Sequence, residues 1–225
     1  MALILNIETS SSVCSVCLAQ NGTLVDWREN TDHNSHARVL TVLIEDLASK
    51  NNLKLAQLDA VAVSAGPGSY TGLRIGTSVA KGLCYALNKP LIAVSTLKAL
   101  AQGILAHNTS ENALFMPVID AGRQEIYTAL YSSKGEEIWS PFPVIIDEQL
   151  DEKLSVFENI YIGGNATPKC KELLHAKNVK FIENIFFDSR YMINLAEELA
   201  HRQLFESTAY FEPHYLKAFQ TKRPG

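Results

Sequence analysis

The order in which strand and helix patterns follow one another narrows the fold of this chain more than any single residue. Residues 2–7 are almost continuously apolar, as in a strand covered on both faces. Residues 13–19 are rich in strand formers, and Asn21-Gly22 is a dipeptide favoured in tight hairpins. Residues 24–29 return as a third strand. Val39, Leu40, Leu43, Ile44, Leu47 and Ala48 then recur at helical spacing between residues 35 and 52. Residues 59–64 read as a buried strand, 71–87 as a helix, 91–94 as a strand and 96–107 as a helix. The string is βββαβαβα.

The polar stretch 107–112 has no apolar anchor and reads as a linker. Beyond it the same order returns: strands at 114–119, 125–131 and 136–140, a helix at 147–157, a strand at 159–162, a helix at 168–175, a strand at 179–182 and a long helix at 188–205. Glu8 recurs as Asp120 and Trp27 as Trp139, while the turn glycines Gly22 and Gly135 fall one position out of step. Two tandem copies of βββαβαβα, the second trimmed, predict an α/β chain of two subdomains, 1–108 and 109–225. That is the architecture of the actin-like ATPase and ribonuclease-H-like folds, with a cleft between the halves.

Charge and cysteine usage exclude several classes of function. Lys plus Arg is 20 against 24 Asp plus Glu, a mild excess of acid that argues against holding nucleic acid by charge alone. No apolar run approaches the roughly 18 residues of a membrane span. The start reaches Glu8 without a basic segment, unlike a signal peptide, and four cysteines suit a reducing cytoplasm. Cys14 and Cys17 form one C-x-x-C, but in alternating strand sequence positions three apart face opposite sides. No second pair completes a zinc site.

The sharpest local feature is Gly66-Pro67-Gly68-Ser69-Tyr70-Thr71-Gly72-Leu73-Arg74-Ile75-Gly76, between a buried strand and a helix. It is not a Walker A loop, because no Gly-Lys-Ser/Thr follows. It is not a dinucleotide fingerprint, because no Asp or Glu occurs between Asp59 and Glu111, where the ribose-binding acid belongs. Two readings stay open. The loop amides and helix start can face an anion, or Gly72, Gly76 and Ala80 can share a face for close packing. Ser69 suits the N-cap of that helix.

Residues 63–76 closely resemble the signature loop of the bacterial TsaB family, also called YeaZ. Residues 4–10, the segment Val118-Ile119-Asp120-Ala121-Gly122-Arg123-Gln124-Glu125-Ile126-Tyr127 and the tail Pro213-His214-Tyr215-Leu216-Lys217 match it in the same order. Members are accessory subunits of the system that makes threonylcarbamoyladenosine in tRNA. Two departures stand out. The first strand ends in Glu8-Thr9 where the family commonly has Asp-Thr, and Gly122 precedes Arg123 where it commonly reads Asp-Ala-Arg.

In active members of the wider fold, carboxylates at these strand ends organise metal and water around nucleotide phosphates. Glu8 and Asp120 occupy those places, either for Mg-ATP chemistry or as structural acceptors of backbone N–H groups. His33 and His36, three apart, do not match the i, i+4 pair of the catalytic sister's metal site. Ser69 follows Gly68 directly, which is not a nucleophile elbow. Cys84 and Cys170 lie in helical patterns as core fillers.

The resemblance therefore implies a scaffold with no catalytic residue and no metal of its own. It implies binding to TsaD, the catalytic sister subunit of the same fold, through helices 35–52 and 71–87, and a homodimer through the same surface when alone. The expected exposed face is Val39, Leu40, Leu43, Ile44 and Leu47 with Gly72, Leu73, Gly76, Val79, Ala80 and Leu83. A small P-loop ATPase, TsaE, is expected to dock on the pair, with tRNA reached only through the complex. Mg-ATP or ADP is expected at a shared interface, near Glu8, Thr9, Gly66, Gly68, Ser69, Thr71, Gly72, Arg74 and Asp120. The basic tail of Lys217, Lys222 and Arg223 reads as a solvated terminus. The role implied is support of threonylcarbamoyl transfer from its adenylate to N6 of adenosine 37, in tRNAs reading codons that begin with A. The alternative is an autonomous Mg-ATP-dependent phosphotransferase or ATP hydrolase using Glu8 and Asp120.

Overall fold

The computed structural model describes residues 2–32, 35–107 and 112–217. The first half runs β1 (Leu3–Glu8), β2 (Cys14–Gln20), β3 (Thr23–Asn30), α1 (His36–Lys50), β4 (Ala60–Ser64), α2 (Tyr70–Leu87), β5 (Leu91–Val94) and α3 (Thr96–Ala106). The second half runs β6 (Leu114–Asp120), β7 (Glu125–Ser132), β8 (Glu137–Ile145), α4 (Glu148–Leu154), β9 (Ile160–Gly163), α5 (Thr167–Leu173), β10 (Val179–Phe181) and α6 (Ile193–His201). Both copies keep the βββαβαβα order. The second is trimmed in length, since α4 and α5 have 7 residues each where α1 and α2 have 15 and 18.

Each half builds one five-stranded mixed sheet, ordered β3-β2-β1-β4-β5 and β10-β9-β6-β7-β8. The hairpin strands pair antiparallel, whereas β4 and β5, and likewise β9 and β10, add in parallel. Parallel neighbours need a crossover, and the helices supply it. Asn21 and Gly22 both take left-handed φ values, 52° and 72°, as the two-residue hairpin turn requires.

Alternation along β1 sends Leu5 and Ile7 into a core with Leu40, Ile44 and Leu47 of α1 and with Ala80 and Cys84 of α2. Ile4 faces the other way, against Met192, Leu195 and Ala196. Cys14 joins the first core and Cys17 sits on the opposite face, as their spacing requires. All four cysteines are free.

The last helix of each half lies against the other half's sheet. Leu97, Leu100 and Ile104 of α3 pack with Phe115, Ile119 and Ala129 of the second sheet. Leu195 and Ala196 of α6 pack with Ala62 and Ile92 of the first. Gly103 of α3 lets Tyr191 come close, since a Cβ there would lie 2.5 Å from its ring. Burying each large side chain contributes about 1.5–3 kcal/mol, so this middle layer joins the halves firmly at the base of the cleft.

Two expected elements differ. The strand read as 136–140 extends as Glu137–Ile145 through Pro141 and Pro143. Proline is tolerated there because β8 is an edge strand. The long helix read at 188–205 is a 3-10 turn, Ser189–Met192, followed by the shorter α6, and Gln203 has a left-handed φ of 54° beyond its end. The expected linker falls largely on 108–111, outside the described residues.

Candidate functional site

The glycine-rich segment leaves β4 at Ser64, crosses a cis Gly66-Pro67 bond and enters α2. Ser69 is the N-cap: its hydroxyl accepts the Gly72 amide at 3.2 Å. Its own amide donates to the Ser10 carbonyl at 2.7 Å. The Gly66 amide donates to the Thr96 hydroxyl at 3.1 Å. The amides of Gly66, Ser69 and Gly72 are thus satisfied within the chain. A Cβ on Gly68 would lie 2.5 Å from the Ser10 carbonyl oxygen, so glycine there serves close contact with the β1–β2 turn.

The two strand-end carboxylates have different environments. Glu8 is 1% exposed, and its carboxylate accepts the Ser10 amide at 2.6 Å. Burial pushes its carboxyl up from the ordinary 4.5, against the lowering by the Ser10 and Ser64 hydrogen bonds. Asp120 is at the surface. Lys169 Nζ donates to it at 2.5 Å, its side chain accepts the Gly122 amide at 2.7 Å, and its own amide donates to the Asn165 side chain at 2.9 Å. Burial raises the Asp120 carboxyl, but the Lys169 and Gly122 contacts outweigh it and hold the group below 3.8.

Two adjoining spaces open between the halves. One, about 580 Å³, is walled by Ser10–Ser12, the loop residues Gly68, Ser69, Thr71 and Gly72, and Asp120 and Asn165 from the second half. The other, about 400 Å³, lies between Pro67–Tyr70, the turn at Ala121–Arg123 and the C-terminal residues His214–Lys217. Glu8 and Thr9 line neither. Arg74 turns away as well: its guanidinium stacks 4.2 Å over the Tyr70 ring and bonds the Tyr215 hydroxyl at 3.4 Å. Glu8 is thus sealed from both spaces, and the amides of Gly66, Ser69 and Gly72 are taken up within the chain.

The expected partner face is divided by the structure. Leu40, Ile44, Leu47, Gly72, Leu73, Gly76 and Ala80 face this chain's own interior, contrary to their reading as exposed. The glycine stripe packs on Thr9: a Cβ on Gly72 would overlap the Thr9 carbonyl, and one on Gly76 the Thr9 hydroxyl. Val39, Leu43, Val79 and Leu83 are only partly buried. Val79 and Leu83 line an apolar groove of about 330 Å³ between α1 and α2, opposite Thr41, Glu45 and Leu53.

His36 is 7% exposed, its Nε2 lies 3.3 Å from the Val13 carbonyl, and His33 falls outside the described residues. Among the described residues no three His, Cys, Asp or Glu side chains group to hold a metal. Sequence reasoning missed the contacts of the C-terminal segment. Lys217 pairs with Glu125, 92 positions away, and Tyr215 meets Arg74, 141 positions away. No local pattern signals contacts at such separations.

Residues 30–217 match the family model described as tRNA N6-adenosine threonylcarbamoyltransferase. The tRNA threonylcarbamoyladenosine biosynthesis protein TsaB of Escherichia coli (strain K12) is 32% identical over 172 residues, covering 73% of each chain. A crystal structure from Pseudomonas aeruginosa, described as similar to peptidase YEAZ, superimposes with a TM-score of 0.85 at 26% identity over 96% of this chain and all of that one. An activator of 2-hydroxyisocaproyl-CoA dehydratase from Clostridium difficile, with bound ADPNP, shares the fold alone, with a TM-score of 0.53 at 9% identity over 90% of this chain and 97% of that one. The repeated halves are those of the actin-like ATPase fold, and the chain belongs to the TsaB (YeaZ) family of tRNA threonylcarbamoyladenosine biosynthesis proteins.

Proposed function

We propose that this TsaB-family protein takes part in threonylcarbamoyladenosine modification as a non-catalytic scaffold and activator, and not as an enzyme in its own right. The observation that carries the reading is the sealing of Glu8, which removes one of the two carboxylates that phosphoryl chemistry in this fold requires. The other, Asp120, is held by Lys169 and the Gly122 amide. The protein works in the cytoplasm beside the related transferase TsaD, which moves threonylcarbamoyl from its adenylate to N6 of adenosine 37. The transferase seats on the α1–α2 face, on the partly buried Val39 and Leu43 and on the groove lined by Val79 and Leu83, and the same face pairs two copies when the partner is absent. TsaE docks on the assembled pair, and tRNA is reached through the complex. Nucleotide is then a shared ligand, to which this chain contributes exposed rim residues such as Thr71 and Asp120.

The test is reconstituted tRNA modification with and without this chain, read as modified nucleoside by mass spectrometry. The scaffold reading expects product that survives Glu8→Gln and Asp120→Asn and falls with Val79→Glu. Loss of product in the carboxylate variants, with the complex still assembled, overturns it in favour of an active cleft.

A further inference from the structure

The C-terminal segment crosses from one half of the molecule to the other. Phe211 is buried in the core under the first sheet, and Lys81 of α2 donates to the carbonyls of Ala209 and Phe211 at 3.2 and 3.0 Å. The His214 amide then donates to the Ala65 carbonyl at 2.7 Å, and its own carbonyl lies so close to Gly66 that a Cβ there would sit 2.7 Å away. Tyr215 packs on Tyr70 with ring centroids 4.9 Å apart. Lys217 next reaches the second half. Its ammonium pairs with the Glu125 carboxylate at the start of β7 and lies 5.6 Å over the Tyr127 ring.

The base of the cleft is held by packed apolar helices, α3 and α6, whereas its rim is bridged by this strap. The two attachments differ in kind. A buried core does not exchange partners, but a pair whose side chains are 26% and 35% exposed can open to water. We propose that residues 211–217 form a latch that holds the two halves at one closure of the cleft, with Lys217 as the catch on Glu125. Releasing the catch lets the second half rotate about the α3–α6 layer and widens the space between Ser10–Ser12 and Asp120.

Spin labels on the full chain at Ser12→Cys and Glu172→Cys test this by pulsed electron–electron resonance. Both positions are exposed and lie in opposite halves, and the four native cysteines are at most 2% exposed, so labelling is selective. The labelled protein should give one narrow distance distribution. Lys217→Glu should broaden it and shift it to longer distances, and Glu125→Lys should do the same. The charge-swapped pair Glu125→Lys with Lys217→Glu should restore the narrow distribution, which a variant that merely damages the fold would not. A Lys217→Glu distribution that superimposes on the parent, or a broadening that the swap leaves in place, overturns the latch.

Discussion

The Thr9 hydroxyl donates a 2.9 Å hydrogen bond to the Gly72 carbonyl, fastening the end of β1 to the first turn of α2. The contact explains why two glycines a turn apart sit on this helix. Both face Thr9, one against its carbonyl and one against its hydroxyl, and a methyl group at either position meets occupied space. The stripe belongs to the chain's own strand–helix junction.

Substitutions along α2 should therefore split by position. Gly72→Ala and Gly76→Ala overpack the junction and should each destabilise by about 1–3 kcal/mol. Gly82 has no atom within 4 Å of a built Cβ, so Gly82→Ala should stabilise by about 0.8–1 kcal/mol through helix propensity alone. Urea unfolding of the three variants checks this. A Gly76→Ala protein more stable than the parent would mean that Thr9 does not press on the helix.

Glu8 and Asp120 should show opposite pH dependence. Burial raises the Glu8 carboxyl above 4.5, so between 4.5 and its folded value the native state keeps a proton that the unfolded chain has lost. Native stability then falls as pH rises through that window. Glu8→Gln should gain stability over the parent toward neutral pH, and the gain should vanish in acid. The Asp120 carboxyl lies below 3.8 in the fold, so its contribution is present above 3.8 and is lost as pH falls through the folded value. Asp120→Asn should cost less than about 1 kcal/mol at neutral pH, because the pair is partly exposed, and nothing in strong acid. Urea midpoints from pH 3 to 8 give both trends, and parallel trends would contradict the difference in burial.

Charge in the α1–α2 groove should act on association. Val79→Glu or Leu83→Glu should weaken binding to the transferase subunit by at least about tenfold, as for loss of a central apolar anchor. Gln124→Glu, on an exposed turn outside the groove, should leave it unchanged. Titration calorimetry reads both, and equal affinities for all variants would remove the groove from the interface.

The thiols should be silent in the native protein. Burial pushes the Cys14, Cys17 and Cys170 thiols up to about 12 and that of Cys84 to about 11. At pH 8 an aromatic disulfide reagent should titrate no thiol rapidly, and all four once the chain is unfolded, because the thiolate is the reacting form. Fast reaction of Cys84 before unfolding would show that α2 opens at its C-terminal end.

Much of the chain was legible because local chemistry governs it. The doubled βββαβαβα order, the left-handed Asn21-Gly22 turn, the Ser69 cap and the opposed faces of Cys14 and Cys17 depend on neighbours within a few residues. The sequence pattern ends β8 at 140, whereas the strand continues through Pro141 and Pro143 on an edge, and a sequence does not show which strand will be the edge.

What only the tertiary structure decided is which faces meet. Helical spacing marked Leu40, Ile44 and Leu47 as one apolar side, but that spacing is the same whether the side meets a partner or the chain's own sheet. Glycines at intervals of four mark a close approach without naming what approaches, and here it is Thr9. A strand-end carboxylate looks alike in sequence whether it is open like Asp120 or sealed like Glu8, since the seal is made by residues from other elements. The same holds for Lys217 and Glu125. Sequence by itself determined the order of elements and the side each residue takes along them, because those follow from backbone geometry. Burial, and with it the chemistry left to each carboxylate, arises from contacts between segments distant in the chain, which exist only once both halves have packed.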